Sequence, residues 1–429
     1  MKEIKNIEAV RHRGRIFYII EAALEYFISL CVTSTFLTAL LNEMQVSTAH
    51  QGIISSIASL ACCIQLVAVF GVKKSYPCKR WVSILNLVNQ LLFCLLYLIP
   101  LTSFRQELKI VLFVGMLFSA YFCQHYLTPS RTQWHMENVD DNKRGIFTAN
   151  KEIVSLVGGM IFSQCAGIML DHFKAKGDTR TCFVIFAVTI ALLSLLHLIS
   201  MIGIHEIKPT REIPKKTFGE ILRTVFGNKQ LRLVLLFDAL FAISLVPGHF
   251  STVYLTRTMG FSYTYITLIG IFHSAFRAIV SRFLGRYADK RSWTAMLKLC
   301  LLVSAGGYVV FAFCAPGSFG WLLYPIYSLA YAFSMGGTNS ARINLCLDYV
   351  SHEDRRYILG VKNAFSGIVD FCVTLLVSLA VEAIESNGNM IFGFHIYPQQ
   401  LLFFANALLL LSLTFFFLPK LKKKKSQTV

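Results

Sequence analysis

Apolar residues fill the chain in continuous blocks at 16–41, 51–70, 81–100, 110–130, 153–170 and 182–203. After a gap they return at 232–255, 264–284, 295–315, 319–338, 360–382 and 398–419. Each block is close to the roughly 20 residues of helix that cross a hydrocarbon core about 30 Å thick. A membrane barrel would show short alternating segments instead, so the pattern predicts helices. The expected fold is an all-α integral membrane protein with twelve transmembrane helices in two pseudo-symmetric six-helix bundles. Its expected divisions are an N-terminal bundle at 1–203, a cytoplasmic connector at 204–231, and a C-terminal bundle with a basic tail at 232–429. Within the connector, Phe218, Ile221, Leu222, Val225 and Phe226 recur at helical spacing opposite Lys216, Glu220 and Arg223, which predicts one short amphipathic helix along the inner surface. The first block is too long and too polar at its start for a cleaved signal peptide.

Composition agrees: 55% of the 429 residues are hydrophobic and 15% charged, against roughly 25% charged in a soluble domain. The twelve Cys lie mostly inside the blocks, with no spacing typical of a metal site or a disulfide framework, and read as small hydrophobes. No cofactor or metal is expected. The formal charge of +18 is distributed over alternate connections rather than gathered on a nucleic-acid-binding face. Lys and Arg collect at Lys2 to Arg15, Lys73 to Arg80, Lys143 to Lys151, Lys208 to Arg232, Arg282 to Lys298, Arg342 to Lys362 and Lys420 to Lys425. The opposite connections hold few, chiefly Arg105, Lys109, Lys174, Lys176, Arg180 and Arg257. The positive-inside rule then puts both termini in the cytoplasm. The lysines Lys422 to Lys425 are placed to meet anionic lipid headgroups, each adding about 1 kcal/mol of attraction.

Two cytoplasmic stretches match at a constant offset of 211: Arg131, Glu137, Val139, Arg144, Lys151 and Ser155 against Arg342, Asp348, Val350, Arg355, Lys362 and Ser366. Each links the fourth and fifth blocks of its own half. The halves therefore read as parallel copies around a path near the bilayer midplane.

Six plus six helices with an interior connector resemble the major facilitator superfamily. The stretch Gly285-Arg286-Tyr287-Ala288-Asp289-Lys290-Arg291 is similar to that family's signature between the second and third helices of a half. The resemblance implies that Gly285 lets two helices approach and that Asp289 is a conformational latch with Arg342 or Arg355 as partner; Arg131 and Arg144 are their first-half counterparts. The first half departs from the signature, carrying Ser75 where the acid should stand. The run from Val139 to Gly145 is similar to poorly characterised bacterial members, which implies a multi-pass protein of the bacterial cytoplasmic membrane, expected to work as a monomer. It names no substrate.

Polar residues inside the blocks carry the remaining information, because a charge in hydrocarbon costs several kcal/mol on insertion scales. Glu21, Glu25, Ser29 and Thr33 follow at intervals of four and share one helix face. Adding 213 to Glu25 gives Asp238, its approximate counterpart in the second half. Asp238 and His249 share a face, as do His273 and Arg277; Gln124 and His125 sit in the fourth block, and Ser366, Asp370, Thr374 and Ser378 form a second stripe. These positions either line a solute and proton path or hold helices together. For Glu25, Asp238, Arg277 and Asp370 the path is favoured, since charge is a costly form of packing. No Gly-rich loop ending in Gly-Lys-Ser/Thr, His-Glu-x-x-His or Gly-x-Ser-x-Gly occurs, which disfavours an ATP-driven pump and an embedded hydrolase. The expected function is secondary active transport of an unidentified small solute by alternating access, coupled to protons. Efflux of a hydrophobic or cationic compound and symport of a sugar, peptide or organic anion both stay open.

Overall fold

The computed structural model describes residues 2–71, 77–140, 144–207, 216–317, 319–351 and 353–421. The first half supplies α1 (Lys2–Cys31), α2 (Ser34–Glu43), α3 (Thr48–Ser55), α4 (Ile57–Ala61), α5 (Cys63–Gly71), α6 (Lys79–Leu96), α7 (Gln106–Met136), α8 (Arg144–Ala175) and α9 (Thr179–Gly203). The second supplies α10 (Phe218–Gly227), α11 (Lys229–Ile243), α12 (Pro247–Val253), α13 (Tyr263–Lys290), α14 (Trp293–Ala312), α15 (Gly320–Leu347), α16 (Arg355–Ser386) and α17 (Pro398–Ser412). The only strands among the described residues, β1 (Met390–Ile391) and β2 (Phe394–His395), make a small antiparallel hairpin with Met390 opposite His395. Its two turn residues, Phe392 and Gly393, both have positive φ, as a two-residue hairpin turn of this hand requires.

Eleven helical segments among the described residues are long and apolar enough to cross a membrane. The 28-residue α15 is not one of them. Pro325 lies inside it, and Ser334, Gly336, Gly337, Thr338, Asn339, Ser340 and Arg342 dilute its apolar run.

The chain divides into two compact units, one of residues 1–46 and 67–214, the other of residues 47–66 and 215–429. In this division by contacts α3 and α4 pack in the second unit, against α16 and α12. Two glycines permit that packing. A Cβ at Gly367 of α16 would lie 2.1 Å from the Ser59 carbonyl oxygen, and one at Gly52 of α3 would lie 2.1 Å from the Phe250 ring. The absent side chains let the backbone of α4 reach α16 and let α3 accept Phe250, which is fully buried beside Ala49, Val246 and Val381. In the first unit α1 packs on α8 and α9, and α6 on α7 and α9.

The apolar block at 16–41 reads as one helix, but it is interrupted between Cys31 and Ser34, where Ser34 adopts a φ of 42°. The Cys31 carbonyl freed by the break accepts a hydrogen bond from the Tyr97 hydroxyl at 2.5 Å. The second unit repeats this device. α11 ends at Ile243, Pro247 opens α12 in the first-turn position that needs no backbone N–H, and the Ser244 carbonyl accepts from the Tyr308 hydroxyl at 2.7 Å. Tyr97 and Tyr308 stand at the offset of 211; Cys31 and Ser244 stand at 213, like Glu25 and Asp238. The tyrosine pair extends the repeat beyond the matched stretches 131–155 and 342–366 that carried it in the sequence.

The amphipathic helix of the connector is α10. Thr217 and Glu220 cap it reciprocally, and its Ile221 and Val225 are buried. Lys216, just before it, is fastened to the start of α16 by an ion pair with Asp354 at 2.6 Å, and this hydrogen bond raises the Lys216 ammonium above its ordinary range.

Candidate functional site

In the first unit, α1 presents Tyr18, Glu21 and Glu25 to α7 and α9. Gly158 and Gly159 of α8 let α1 sit close, since a Cβ at either would meet the ring of Phe27 or Tyr26 at 2.5 Å or less. Glu21 is 1% exposed, and a buried carboxylate is costly unless paired. Arg131 of α7 supplies the pair: Nη2 is 2.6 Å from Glu25 Oε1, and Nη1 is 3.6 Å from Glu21 Oε1. Arg131 Nη1 also donates to Asn86 Oδ1 at 3.2 Å, and the amide of Asn86 lies 3.1 Å from His197 Nδ1. His197 Nε2 in turn is 3.2 Å from Glu21 Oε1, close in distance though without the alignment of a full hydrogen bond. His135 Nδ1 reaches Glu21 Oε2 at 3.7 Å and its ring packs on Tyr18, whose hydroxyl accepts from Lys151 at 3.4 Å. The two acids differ in exposure: the side chain of Glu21 is 2% accessible and that of Glu25 22%.

Oxygen and nitrogen ligand atoms of Glu21, Glu25 and His197 lie within 4.8 Å of one another, a spacing that suits a metal ion. The Arg131 guanidinium already occupies the cation's place between the carboxylates, so the group is an ion-pair network rather than a metal centre.

In the second unit the corresponding acid is Asp238 of α11. Arg342 Nε lies 2.5 Å from its Oδ1; Lys362 Nζ lies 3.3 Å from Oδ2, and the Ser366 hydroxyl donates to Oδ2 at 2.5 Å. The Arg342 guanidinium also stacks over Phe241 at 4.5 Å. Asp370, one turn beyond Ser366, pairs separately with His249 Nε2 at 3.0 Å, and its Oδ1 has no hydrogen-bond partner among the described residues. The repeat thus places Arg131 and Arg342 on the first-helix acid of their own units. Lys151 and Lys362, a further matched pair, do different work: one meets Tyr18, the other Asp238.

Other positions fall outside these clusters. His273 Nδ1 is 3.0 Å from the Ser328 carbonyl, with the Tyr331 ring 5.8 Å away. Arg277, a turn further along α13, is exposed and makes no ion pair among the described residues. Gln124 and His125 are half-buried on α7, His125 stacking on Tyr121 at 6.4 Å. Asp289 is exposed and has no ion-pair partner among the described residues, while its expected partner Arg342 is held by Asp238. Arg355 Nε, also expected there, has no hydrogen-bond partner among the described residues. A Cβ at Gly285 would meet nothing within 4 Å, so the close approach of α13 and α15 is made elsewhere, at Gly336 and Gly337. There a Cβ would come within 3.3 Å of the Arg277 carbonyl oxygen and 3.0 Å of the Leu284 side chain respectively. Ser75 and the side chain of Arg144 lie outside the described residues.

The sequence pattern singled out Glu25, Asp238, Asp370 and His249, and the structure brings the first two into ion pairs and the last two against each other at 3.0 Å. It missed the buried His135 and His197 and the pairing role of Asn86, since a polar residue in an apolar helix shows no partner until helices are packed. The signal available was their type: two ionisable rings in hydrocarbon call for acids, and Glu21 was at hand.

The profile of the Major Facilitator Superfamily matches residues 22–372, well over half of the chain. Among solved structures the fold is similar to a point-mutant form of the nucleoside transporter NupG, at a TM-score of 0.73 and 14% identity over 95% of this chain and 100% of that one. It is similar to a D-xylose-proton symporter at a TM-score of 0.68 and 14% identity, covering 96% and 99% of the two chains. A bacterial homologue of the human lysosomal transporter Spinster, inward-facing and unoccupied, follows at 0.62 and 15%, covering 96% of each. No curated protein matches by sequence. The chain is an all-α, multi-pass membrane protein that belongs to the major facilitator superfamily, a secondary transporter and not an enzyme.

Proposed function

We propose that this transporter carries a small polar solute by alternating access in symport with protons, and that Glu25 takes and releases the coupling proton. The observation that carries the reading is the shared guanidinium of Arg131. Arg131 holds two carboxylates, of which Glu25 is the more accessible by far. Protonation of Glu25 leaves Arg131 with Glu21 as counter-ion, so a proton can enter without stranding the cation in a medium of low dielectric. Similarity to a D-xylose-proton symporter and to nucleoside transporters supports a polar solute and favours symport over efflux.

Twelve spans, with α15 as the tenth and two six-helix bundles at 1–203 and 232–429 joined by 204–231, complete the proposed architecture. Both termini lie on the cytoplasmic side of a bacterial inner membrane, a placement supported by the Lys and Arg asymmetry. The chain works as a monomer. His249, Asp370, His273, Arg277, Gln124 and His125 face the solute path, and Asp289, Gly285, Arg355 and Arg144, at helix ends, contribute to the latch on one conformation.

The test is transport by purified protein in proteoliposomes against a panel of sugars and nucleosides, with and without an imposed pH gradient. With a transported solute in hand, Glu25→Gln keeps the shape of a protonated glutamic acid but has no proton to release. Solute counterflow is expected to survive in this variant while gradient-driven accumulation is lost. Accumulation at the wild-type level would show that Glu25 is not the coupling site.

A further inference from the structure

The hydrogen-bond chain behind Arg131 has only one consistent direction. A guanidinium donates and never accepts, so the Asn86 atom facing Arg131 Nη1 at 3.2 Å must be the amide oxygen. The other end of the same amide, its NH2, then faces His197 Nδ1 at 3.1 Å and donates to it. Nδ1 is therefore an acceptor without a proton, and the ring hydrogen sits on Nε2, on the side that meets Glu21 Oε1 at 3.2 Å. An imidazolium would set Nδ1–H against the Asn86 NH2, and turning the amide to relieve that clash would set NH2 against the guanidinium. We infer that Asn86 is a positioning residue that keeps His197 neutral in its Nε2–H tautomer, so that Glu25 and not the imidazole receives the proton entering the first unit.

The groups facing His197 fit this assignment. Tyr18, Glu21 and Glu25 come from α1, Asn86 from α6, Arg131 and His135 from α7, and Lys151 from α8 lies beyond Tyr18. Glu21, the acid that meets both imidazoles, attracts a proton toward them. Without Asn86 as spacer, His197 would compete with Glu25 for the proton, and Glu21 would stabilise the product. The amide removes that competitor by geometry. Glu21 is left as the permanently ionised partner of Arg131, and Glu25 as the acid that exchanges. The statement about Glu25 rests on the proposed proton coupling; the statement about the His197 tautomer does not.

Nitrogen NMR of the full-length chain labelled at histidine and held in lipid bilayers tests the tautomer, with His197→Gln assigning its signals by difference among the eleven histidines. The wild-type protein is expected to give one bare nitrogen, Nδ1, and one N–H, Nε2, unchanged between pH 8 and pH 6. In Asn86→Asp, a carboxylate offers acceptors to both Arg131 and Nδ1. His197 is then expected to become an imidazolium at neutral pH, with loss of the bare-nitrogen signal. A wild-type His197 that is an imidazolium or carries its proton on Nδ1 at pH 7 overturns the inference whatever the variant does. So does a folded Asn86→Asp protein that retains the bare nitrogen. Neither outcome depends on solute transport, so failure here is separable from failure of the Glu25 coupling test.

Discussion

Substitution of Gly367 by alanine tests whether backbone contact holds α4 on α16. The new Cβ would lie 2.1 Å from the Ser59 carbonyl oxygen, 3.1 Å from its carbonyl carbon and 3.3 Å from Cys62 Cβ. Ordinary van der Waals contact begins at 3.4 Å, so two helix backbones must separate by over an ångström. Neither the carbonyl nor Cys62 Cβ is the far end of a flexible side chain. Overpacking of this kind costs roughly 1–3 kcal/mol. Alanine recovers up to about 1 kcal/mol of helix propensity over glycine, so the net effect is destabilising. Gly285→Ala makes the same chemical change on α13 where the Cβ meets nothing, and propensity alone acts there. Tryptophan fluorescence on heating, read from Trp81, Trp134, Trp293 and Trp321 at one scan rate, is expected to show G367A melting a few degrees below wild type. G285A is expected at or slightly above wild type. Equal melting of G367A and wild type, or a loss in G285A as large as in G367A, would refute the account of where this fold needs glycine.

Asp238→Asn removes the one anion that Arg342 and Lys362 share and is expected to cost about 3–5 kcal/mol, seen as lost folded yield and a lowered melting temperature, with partial recovery in the Asp238→Asn/Lys362→Met double variant. Wild-type melting of the single variant would count against the pairing. For orientation, a cysteine at Lys176, in a background without the exposed Cys165 and Cys372, is expected to react with a membrane-impermeant thiol reagent on intact cells. Labelling only after lysis would reverse the proposed topology.

The sequence carries the class of the fold because hydrocarbon imposes one requirement, satisfied backbone hydrogen bonds, on every block at once. It carries the repeat for a different reason: Arg131 and Arg342, with Lys151 and Lys362, keep charge at matched positions. What it does not carry is partner choice. Arg342 reads as a loop cation facing Asp289, yet it lies on a helix that leads back to Asp238, and no spacing along one helix reveals which neighbour meets it. The break after Cys31 is hidden likewise, because Ser34 is no strong helix breaker and the carbonyl it frees is answered by Tyr97, more than sixty residues away. Pro247 marks the equivalent break openly. Spacing also does not show that the tight glycine contacts between α13 and α15 lie at Gly336 and Gly337.

The site residues of each unit include two acids, one arginine and one lysine: Glu21, Glu25, Arg131 and Lys151 in the first, Asp238, Asp370, Arg342 and Lys362 in the second. The inventories match; the wiring does not. Asp238 accepts from Arg342 at 2.5 Å, from Ser366 at 2.5 Å and has Lys362 at 3.3 Å, so a proton placed on it would leave two cations without their shared anion and with no other ion pair among the described residues. Asp370 is committed to His249 and does not substitute. In the first unit the ratio is reversed, one guanidinium between two carboxylates, with Lys151 turned away onto the Tyr18 hydroxyl. A proton on Glu25 there leaves one cation and one anion still paired. Approximate symmetry in sequence makes Glu25 and Asp238 look interchangeable as proton carriers. The cost of unpaired charge in low dielectric separates them, and it supports the proposal that Glu25 exchanges the proton while Asp238 keeps its charge.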